Sequence, residues 1–289
     1  MKHSIKNNIL EIEINSLGAE LWSIKKDNTQ YLWQGDENSW KSRATNIFPF
    51  IGRMEDGKYK YNNKIYEMNP HGFCRHTDFA LDKKEDTKIT FKISSNEDTL
   101  KIYPFLFEYY ITYELKKNTL VITSKVINKD NKTMYFAIGG HPGFITPIND
   151  SLNFEDYYLQ FDSPCKINNI RTSEKGLVTH KEDFQLEEDK ILKLKHSLFD
   201  NDALIFENVS KGVTLKTDKN NKSIYVKYED MKYLGIWQSV KKSPNFICIE
   251  PWTSLPPRDG IIEDIETQDG LISLDSNKEY ANSWSITIK

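Results

Sequence analysis

The sequence predicts an all-β protein, a large antiparallel β-sandwich, on three observations. Apolar and polar residues alternate in segment after segment, the period-2 signature of half-buried strands. Turn residues separate those segments at regular intervals. Helical periodicity is scarce. Many short strands with no helix carrying the architecture favour packed antiparallel sheets over a barrel or a parallel sheet.

In chain order, Leu10, Ile12 and Ile14 open the first strand. Lys58 to Met68, KYKYNNKIYEM, reads as a hairpin turning at Asn62 and Asn63, residues that tolerate left-handed geometry. Ile89 to Ser94 follows, and a second hairpin joins Tyr109 to Leu115 with Leu120 to Ile127 across Lys116 to Thr119. Val213 to Thr217, Ser223 to Tyr228, Leu234 to Gln238, Phe246 to Glu250 and Trp284 to Ile288 complete the strand candidates. A single short helix is expected over Lys190 to Phe199, with Ile191, Leu194 and Leu198 on one face. No linker, repeat or composition break interrupts the chain, so residues 1–289 are expected to form one domain.

Composition excludes several function classes. The 39 basic residues stand against 42 acidic ones, and a net charge of −3 gives no pull towards nucleic acid or anionic membrane. The N-terminal stretch alternates where a signal peptide needs an unbroken apolar run, and no stretch approaches the roughly 20 apolar residues of a membrane span. A soluble, cytoplasmic protein is expected; oligomeric state is left open. Cys74, Cys165 and Cys248 are scattered and form no CxxC pair, so reduced thiols are expected rather than disulfides or a zinc knuckle. Cys74 stands near His71 and His76 as a thiol-nucleophile candidate, against the plainer reading of a small half-buried cysteine. The five-residue spacing of those histidines fits neither a shared strand face nor HExxH, so no metal is expected. Phosphate-binding glycine loops are absent, and no cofactor is implied.

Five segments place polar groups of catalytic type among apolar neighbours. In Ala137 to Phe144, AIGGHPGF, two glycines offer unusual backbone geometry and Pro142 fixes the chain, so His141 is expected at a rigid strand end. Asn46 to Arg53, NIFPFIGR, ends on Arg53, which is either a pocket residue or a surface arginine after a turn. Asn69 to Asp78, NPHGFCRHTD, sets His71 between Pro70 and Gly72. Leu198 to Phe206, LFDNDALIF, brings Asp200 and Asp202 to the mouth of an apolar run, where a solvated turn is the ordinary alternative. Ile247 to Trp252, ICIEPW, carries Glu250 either just out of the sheet or into a pocket. Histidine with carboxylate is the kit of cofactor-free proton transfer.

With these residues in hand, the chain resembles the aldose 1-epimerase (galactose mutarotase) family, and within it the LacX-like branch. The resemblance runs from GAEL at Gly18 to Leu21 through IGRMEDGKYKYNNKIYEM, PHGF and GGHPGF to CIEPW, in the family's order. It implies a β-sandwich of the galactose-mutarotase type and a cofactor-independent enzyme that interconverts the α and β anomers of a hexose, with a small sugar as its partner. By the same resemblance, His141 matches the general acid that protonates the ring oxygen, and Glu250 the base that takes the anomeric hydroxyl proton. His71 matches the second histidine near the ring oxygen, Arg53 the orienting arginine, and Asp202 the substrate-binding aspartate, with Asp200 as competitor. Trp237 and Trp252 are expected to wall the sugar, the alternative being core tryptophans.

PHGF and GGHPGF depart from the LHGG and asparagine-histidine pair of typical galactose mutarotases, which leaves galactose specificity open. HGFCR also resembles a segment of the hexose-6-phosphate 1-epimerase branch, where Arg75 becomes a phosphate-ligand candidate; otherwise it faces solvent or pairs with Asp78. Arg53, Arg75 and Arg258 are the arginines of the motif segments, and with Arg258 simply following its turn, a neutral hexose is expected over a phosphate. A non-catalytic sugar-binding or sensing protein is the alternative from another class. Acid and base are expected on opposite walls of one cleft, with Glu250 ionised and His141 partly protonated, from reference pKa values of about 4.3 and 6.5.

Overall fold

The alternating segments pair into two large sheets that share one core. The structure is a computed structural model describing residues 1–149, 151–240 and 243–289. The larger sheet has nine strands, in the order Ile191–Lys193, Tyr158–Phe161, Gly212–Lys216, Ile224–Lys227, Glu279–Ile288, Thr119–Asn128, Phe107–Lys116, Lys88–Ser94 and Ala80–Lys84. The second has seven: Val178–Phe184, Ile167–Thr172, Leu204–Glu207, Tyr233–Trp237, Phe246–Trp252, Gly139–Ile145 and Ala44–Ile47. Neighbouring strands in both run antiparallel. A four-stranded N-terminal sheet and the hairpin Lys58–Tyr61 with Lys64–Glu67 flank them.

One apolar cluster draws on both large sheets, joining Phe91, Ile111, Ile122 and Ile286 of the nine-stranded sheet to Phe144, Ile236, Ile247 and Ile249 of the seven-stranded one. Burying this surface, at about 25 cal/mol per Å² of apolar area, is the main force holding the layers together. Each expected strand is present, and Asn62 and Asn63 turn their hairpin at φ of 48° and 58°. The second hairpin is tighter than expected, its ladder running to Lys116 and Thr119.

Lys190 to Phe199 is not a helix. Ile191–Lys193 pairs as an edge strand with Tyr158–Phe161, and a 3-10 turn follows at His196–Phe199. Apolar residues at helical spacing met an open sheet edge, and tertiary pairing overrode the local pattern. The one α-helix among the described residues, Glu97–Ile102, lies elsewhere. Asn96 caps it by accepting from the Asp98 and Thr99 N–H groups, and Thr99 returns the bond to the Asn96 N–H. No helix among the described residues is long and apolar enough to cross a membrane.

Two central strands, Gly139–Ile145 and Phe246–Trp252, are buried on both faces. Ile247 and Ile249 point into the inter-sheet core, so Cys248, Glu250 and Trp252 point the other way. On the neighbouring strand Gly140 and Phe144 face the core, leaving Gly139, His141 and Gly143 on the outer face. Gly139 and Gly140 are extended rather than left-handed, contrary to the expectation of special geometry; what they provide is room. A Cβ on Gly140 would lie 2.4 Å from Cζ2 of buried Trp284. Gly140→Ala is therefore expected to lower stability by about 1–3 kcal/mol through overpacking. Urea denaturation checks it, and an unchanged midpoint would mean that Trp284 yields freely.

Candidate active site

The outer face of those two strands forms the floor of a cavity of about 280 Å³. Its lining includes all eight residues singled out from the sequence: Arg53, His71, Arg75, His141, Asp202, Trp237, Glu250 and Trp252. They come from segments some two hundred residues apart, brought together by the sheet and by loops that rise over it. Asp200 is not among the lining residues, and Asp202 is.

His141 is the third residue of its strand rather than a strand end. The register brackets it against Glu250, because Gly139 pairs with Trp252 and Gly143 with Cys248. The two groups therefore stand side by side on the floor, not on opposite walls, with Nε2 of His141 3.3 Å from Oε2 of Glu250. Glu250 is 1% exposed and His141 9%. Neither Oε2 of Glu250 nor Nδ1 of His141 has a hydrogen-bond partner, an unusual state for buried polar atoms. Glycines make the arrangement possible: a Cβ on Gly139 would sit 2.7 Å from Trp252, and one on Gly235, which pairs with Glu250, 2.8 Å from Trp252.

Burial disfavours the charged form of each member. It raises the Glu250 carboxyl well above the ordinary carboxylate range, helped by the negative charge of Asp202; the Trp252 indole, on the same strand face, opposes this in part without completing a well-formed hydrogen bond. Burial also lowers the His141 imidazole well below its usual value, with nearby His71 and Arg75 adding to the effect. Both shifts run against the expectation of an ionised Glu250 beside a partly protonated His141.

His71 has a left-handed backbone, φ 61°, and is clamped to Gly52 in both directions. Its N–H donates to the Gly52 carbonyl at 2.6 Å, and its Nδ1 accepts from the Gly52 N–H at 3.3 Å. With Nδ1 occupied as acceptor, the neutral ring carries its proton on Nε2, as a donor. Burial, with the charges of Arg75 and Arg53, pushes its pKa down to about 3. Arg75 neither faces solvent freely nor pairs with Asp78; its Nε lies 3.0 Å from Nε2 of His76. Arg53 and Arg75 line the same cavity, while Arg258 is held by Glu263 through two contacts of 2.6 and 3.0 Å. Cys74 is fully buried with its thiol pKa pushed up, the opposite of an activated nucleophile.

Trp237 and Trp252 line the cavity in different ways. Trp237 stands edge-on to His141, ring centroids 5.5 Å apart, and its Nε1–H donates to Asp202 at 2.8 Å. Trp252 combines both expected readings, since it also packs with Ile47, Ile51 and Tyr233. Trp40 escaped the sequence reading. Its indole stacks on His141 with centroids 4.9 Å apart and planes at 27°, and no polar signal marks it out in the sequence. Thr172 and Pro256 are also among the lining residues.

Comparison with known proteins identifies the family. Residues 1–267 match the family model "Aldose 1-epimerase". The chain belongs to the aldose 1-epimerase family. It is 33% identical to the plasmid and chromosomal LacX proteins of Lactococcus lactis subsp. lactis, over all of this chain and 99% of each relative. A galactose mutarotase related enzyme from Lactobacillus acidophilus superposes with a TM-score of 0.95 at 33% identity, covering 100% of this chain and 97% of that one. A galactose mutarotase-like protein from Lactobacillus casei gives 0.94 at 31%, with both chains fully covered. The β-sandwich is therefore of the galactose-mutarotase type.

The depressed pKa of His71 yields a pH prediction. Above the unfolded value of about 6.5 the imidazole is neutral in both states and its full contribution to stability is present. As pH falls towards about 3, only the unfolded chain takes up the proton, so stability is lost across that window. Ring signals of His71 in NMR spectra should stay constant from about pH 7 to pH 5. A midpoint near 6.5 would contradict the clamp.

Proposed function

We propose that this chain is a cofactor-independent aldose 1-epimerase that interconverts the α and β anomers of a hexose. The observation carrying this reading is the buried, otherwise unpartnered His141–Glu250 pair on the floor of a pocket of sugar size. Glu250 takes the proton of the anomeric hydroxyl as His141 protonates the ring oxygen, and the C1–O5 bond opens. Rotation about C1–C2 presents the other face of the aldehyde, and reversing both transfers closes the ring on the opposite anomer. Sugar hydroxyls entering the pocket supply the hydrogen bonds that favour carboxylate and imidazolium over the neutral pair. His71 stays neutral and donates from Nε2, and Trp40 and Trp237 fix the His141 ring. Asp202 and Arg53 bind hydroxyls at the rim, and Trp252 with Trp237 offers apolar faces to the pyranose C–H groups.

A phosphorylated hexose is the second reading, favoured by one observation: Arg53 and Arg75 line the same cavity. A neutral hexose remains the first. A phosphate calls for several convergent cations, whereas Arg258 and Lys175 are held by Glu263 and Glu55. Two carboxylates, Asp202 and Glu250, also line the cavity.

Polarimetry of freshly dissolved α-glucose and α-galactose should show faster relaxation with the protein. His141→Ala and Glu250→Gln should each lose on the order of 10²–10⁴ of the catalysed rate. No acceleration with any common aldose, alongside saturable sugar binding, would leave a non-catalytic sugar binder. The 6-phosphates of both sugars, compared at two salt concentrations, decide the substrate class. A preference for phosphate of about tenfold, or 1.4 kcal/mol, that disappears in Arg75→Ala would move the chain to the second reading.

A further inference from the structure

Beside His141 and Glu250, just behind the cavity lining, lies a third group with no part in the proton transfer. Cys248 lies two residues before Glu250 on the same strand and points to the same face, with no side chain on its cross-strand partner, Gly143. It is fully buried and forms no disulfide. One ligand atom from each of His141, Cys248 and Glu250 lies within 4.8 Å of the others, and the imidazole–carboxylate separation is 3.3 Å. In a tetrahedral zinc site, bonds of about 2.0 Å to nitrogen or oxygen and 2.3 Å to sulfur put the ligand atoms roughly 3.3–3.8 Å apart. The three groups thus need to close by only about an ångström around an ion.

We propose that His141, Cys248 and Glu250 form a binding site for a thiophilic divalent cation such as Zn²⁺, which occupies the floor of the pocket in place of the transferable proton and inhibits the enzyme. The charge count suits a buried position. A thiolate, a carboxylate and a neutral imidazole carry two negative charges, which the cation cancels, so no net charge is left in the low-dielectric floor. Two protons leave on binding, one from the thiol and one from the His141–Glu250 pair. The unpartnered Glu250 oxygen gains a partner in the cation. Thiolate and imidazole select Zn²⁺ or Co²⁺ over the oxygen-seeking Mg²⁺ and Ca²⁺.

The coordination test does not depend on activity. Co²⁺ titrated into the full chain should produce a thiolate-to-cobalt charge-transfer band in the near ultraviolet, displaced by Zn²⁺ and not produced by Mg²⁺ or Ca²⁺. Cys248→Ser should abolish the band although Cys74 and Cys165 remain; Cys248→Ala, with circular dichroism as a check of folding, serves as the second variant. Glu250→Gln should weaken Co²⁺ binding by roughly tenfold or more. In polarimetry, Zn²⁺ should slow the wild-type protein and spare Cys248→Ser, whose rate without metal should match the wild type. No band in the wild type, or an undiminished band in both Cys248 variants, would overturn the site. A band without any epimerase activity would keep the site and refute the proposed enzyme instead.

Discussion

The site depends on one contact, the 3.3 Å approach of His141 to Glu250 between adjacent strands in a position almost closed to water. A buried imidazole and carboxylate with atoms left unpaired is a poor stabiliser, since desolvation of such a pair commonly exceeds its Coulombic gain. Apolar residues of similar volume would hold those strands together at least as well. The sheet accommodates the pair by surrounding it with surface that is otherwise well packed. Trp252, Ile47, Ile51 and Tyr233 form an apolar cluster beside it, and the inter-sheet core lies beneath.

Glycine placement makes that contact sterically possible. Glu250 has His141 on one side and Gly235 on the other, and the flanking cross-strand positions beside His141 are Gly139 and Gly143. Side chains there would collide with Trp252 or Trp40, the rings that enclose the pair. The same aromatics then restrict the imidazole: Trp40 lies parallel to it and Trp237 meets it edge-on, both at distances where aromatic pairs attract. Asp202, anchored to Trp237, adds the negative charge that works with burial to hold the Glu250 carboxyl up. Packing, ring orientation and proton affinity are thus set by one group of neighbouring side chains.

Much of this was legible in the sequence because the signals were local. Strand alternation is written residue by residue, and a histidine or glutamate inside AIGGHPGF or ICIEPW stands out against its apolar neighbours. What escaped was non-local. Register between two strands more than a hundred residues apart decides that His141 and Glu250 are adjacent rather than opposed, and no local pattern encodes it. Reference pKa values carry no information about burial, so the ionisation of the pair was read in the wrong direction. Trp40 looks like any tryptophan in a loop until the fold lays it on His141. The misread helix at 190–199 shows the converse, a local periodicity overruled by an available sheet edge. Conversely, the Asn96 cap of the helix at Glu97–Ile102 was a readable local signal in a segment too short to show helical periodicity.

Charge is distributed unevenly around the cavity. The carboxyl groups are those of Glu250 and Asp202, which interact with each other, whereas Arg53 and Arg75 act on His71. Burial, with the charges of those guanidiniums, lowers the His71 pKa to about 3, and the Gly52 N–H keeps its Nδ1 an acceptor, so its Nε2 is a donor whose character does not change near neutral pH. A fixed donor and a buried imidazole–carboxyl pair are chemically distinct neighbours, although the rings of His71 and His141 lie only 5.6 Å apart. The distinction has a physical origin in the strand and loop that carry them. His141 contacts a carboxyl that can give or take a proton, and His71 is clamped by a peptide N–H that can do neither. Two histidines that look alike in the sequence are thereby set in different chemical environments, one beside a buried carboxyl and the other on a peptide N–H.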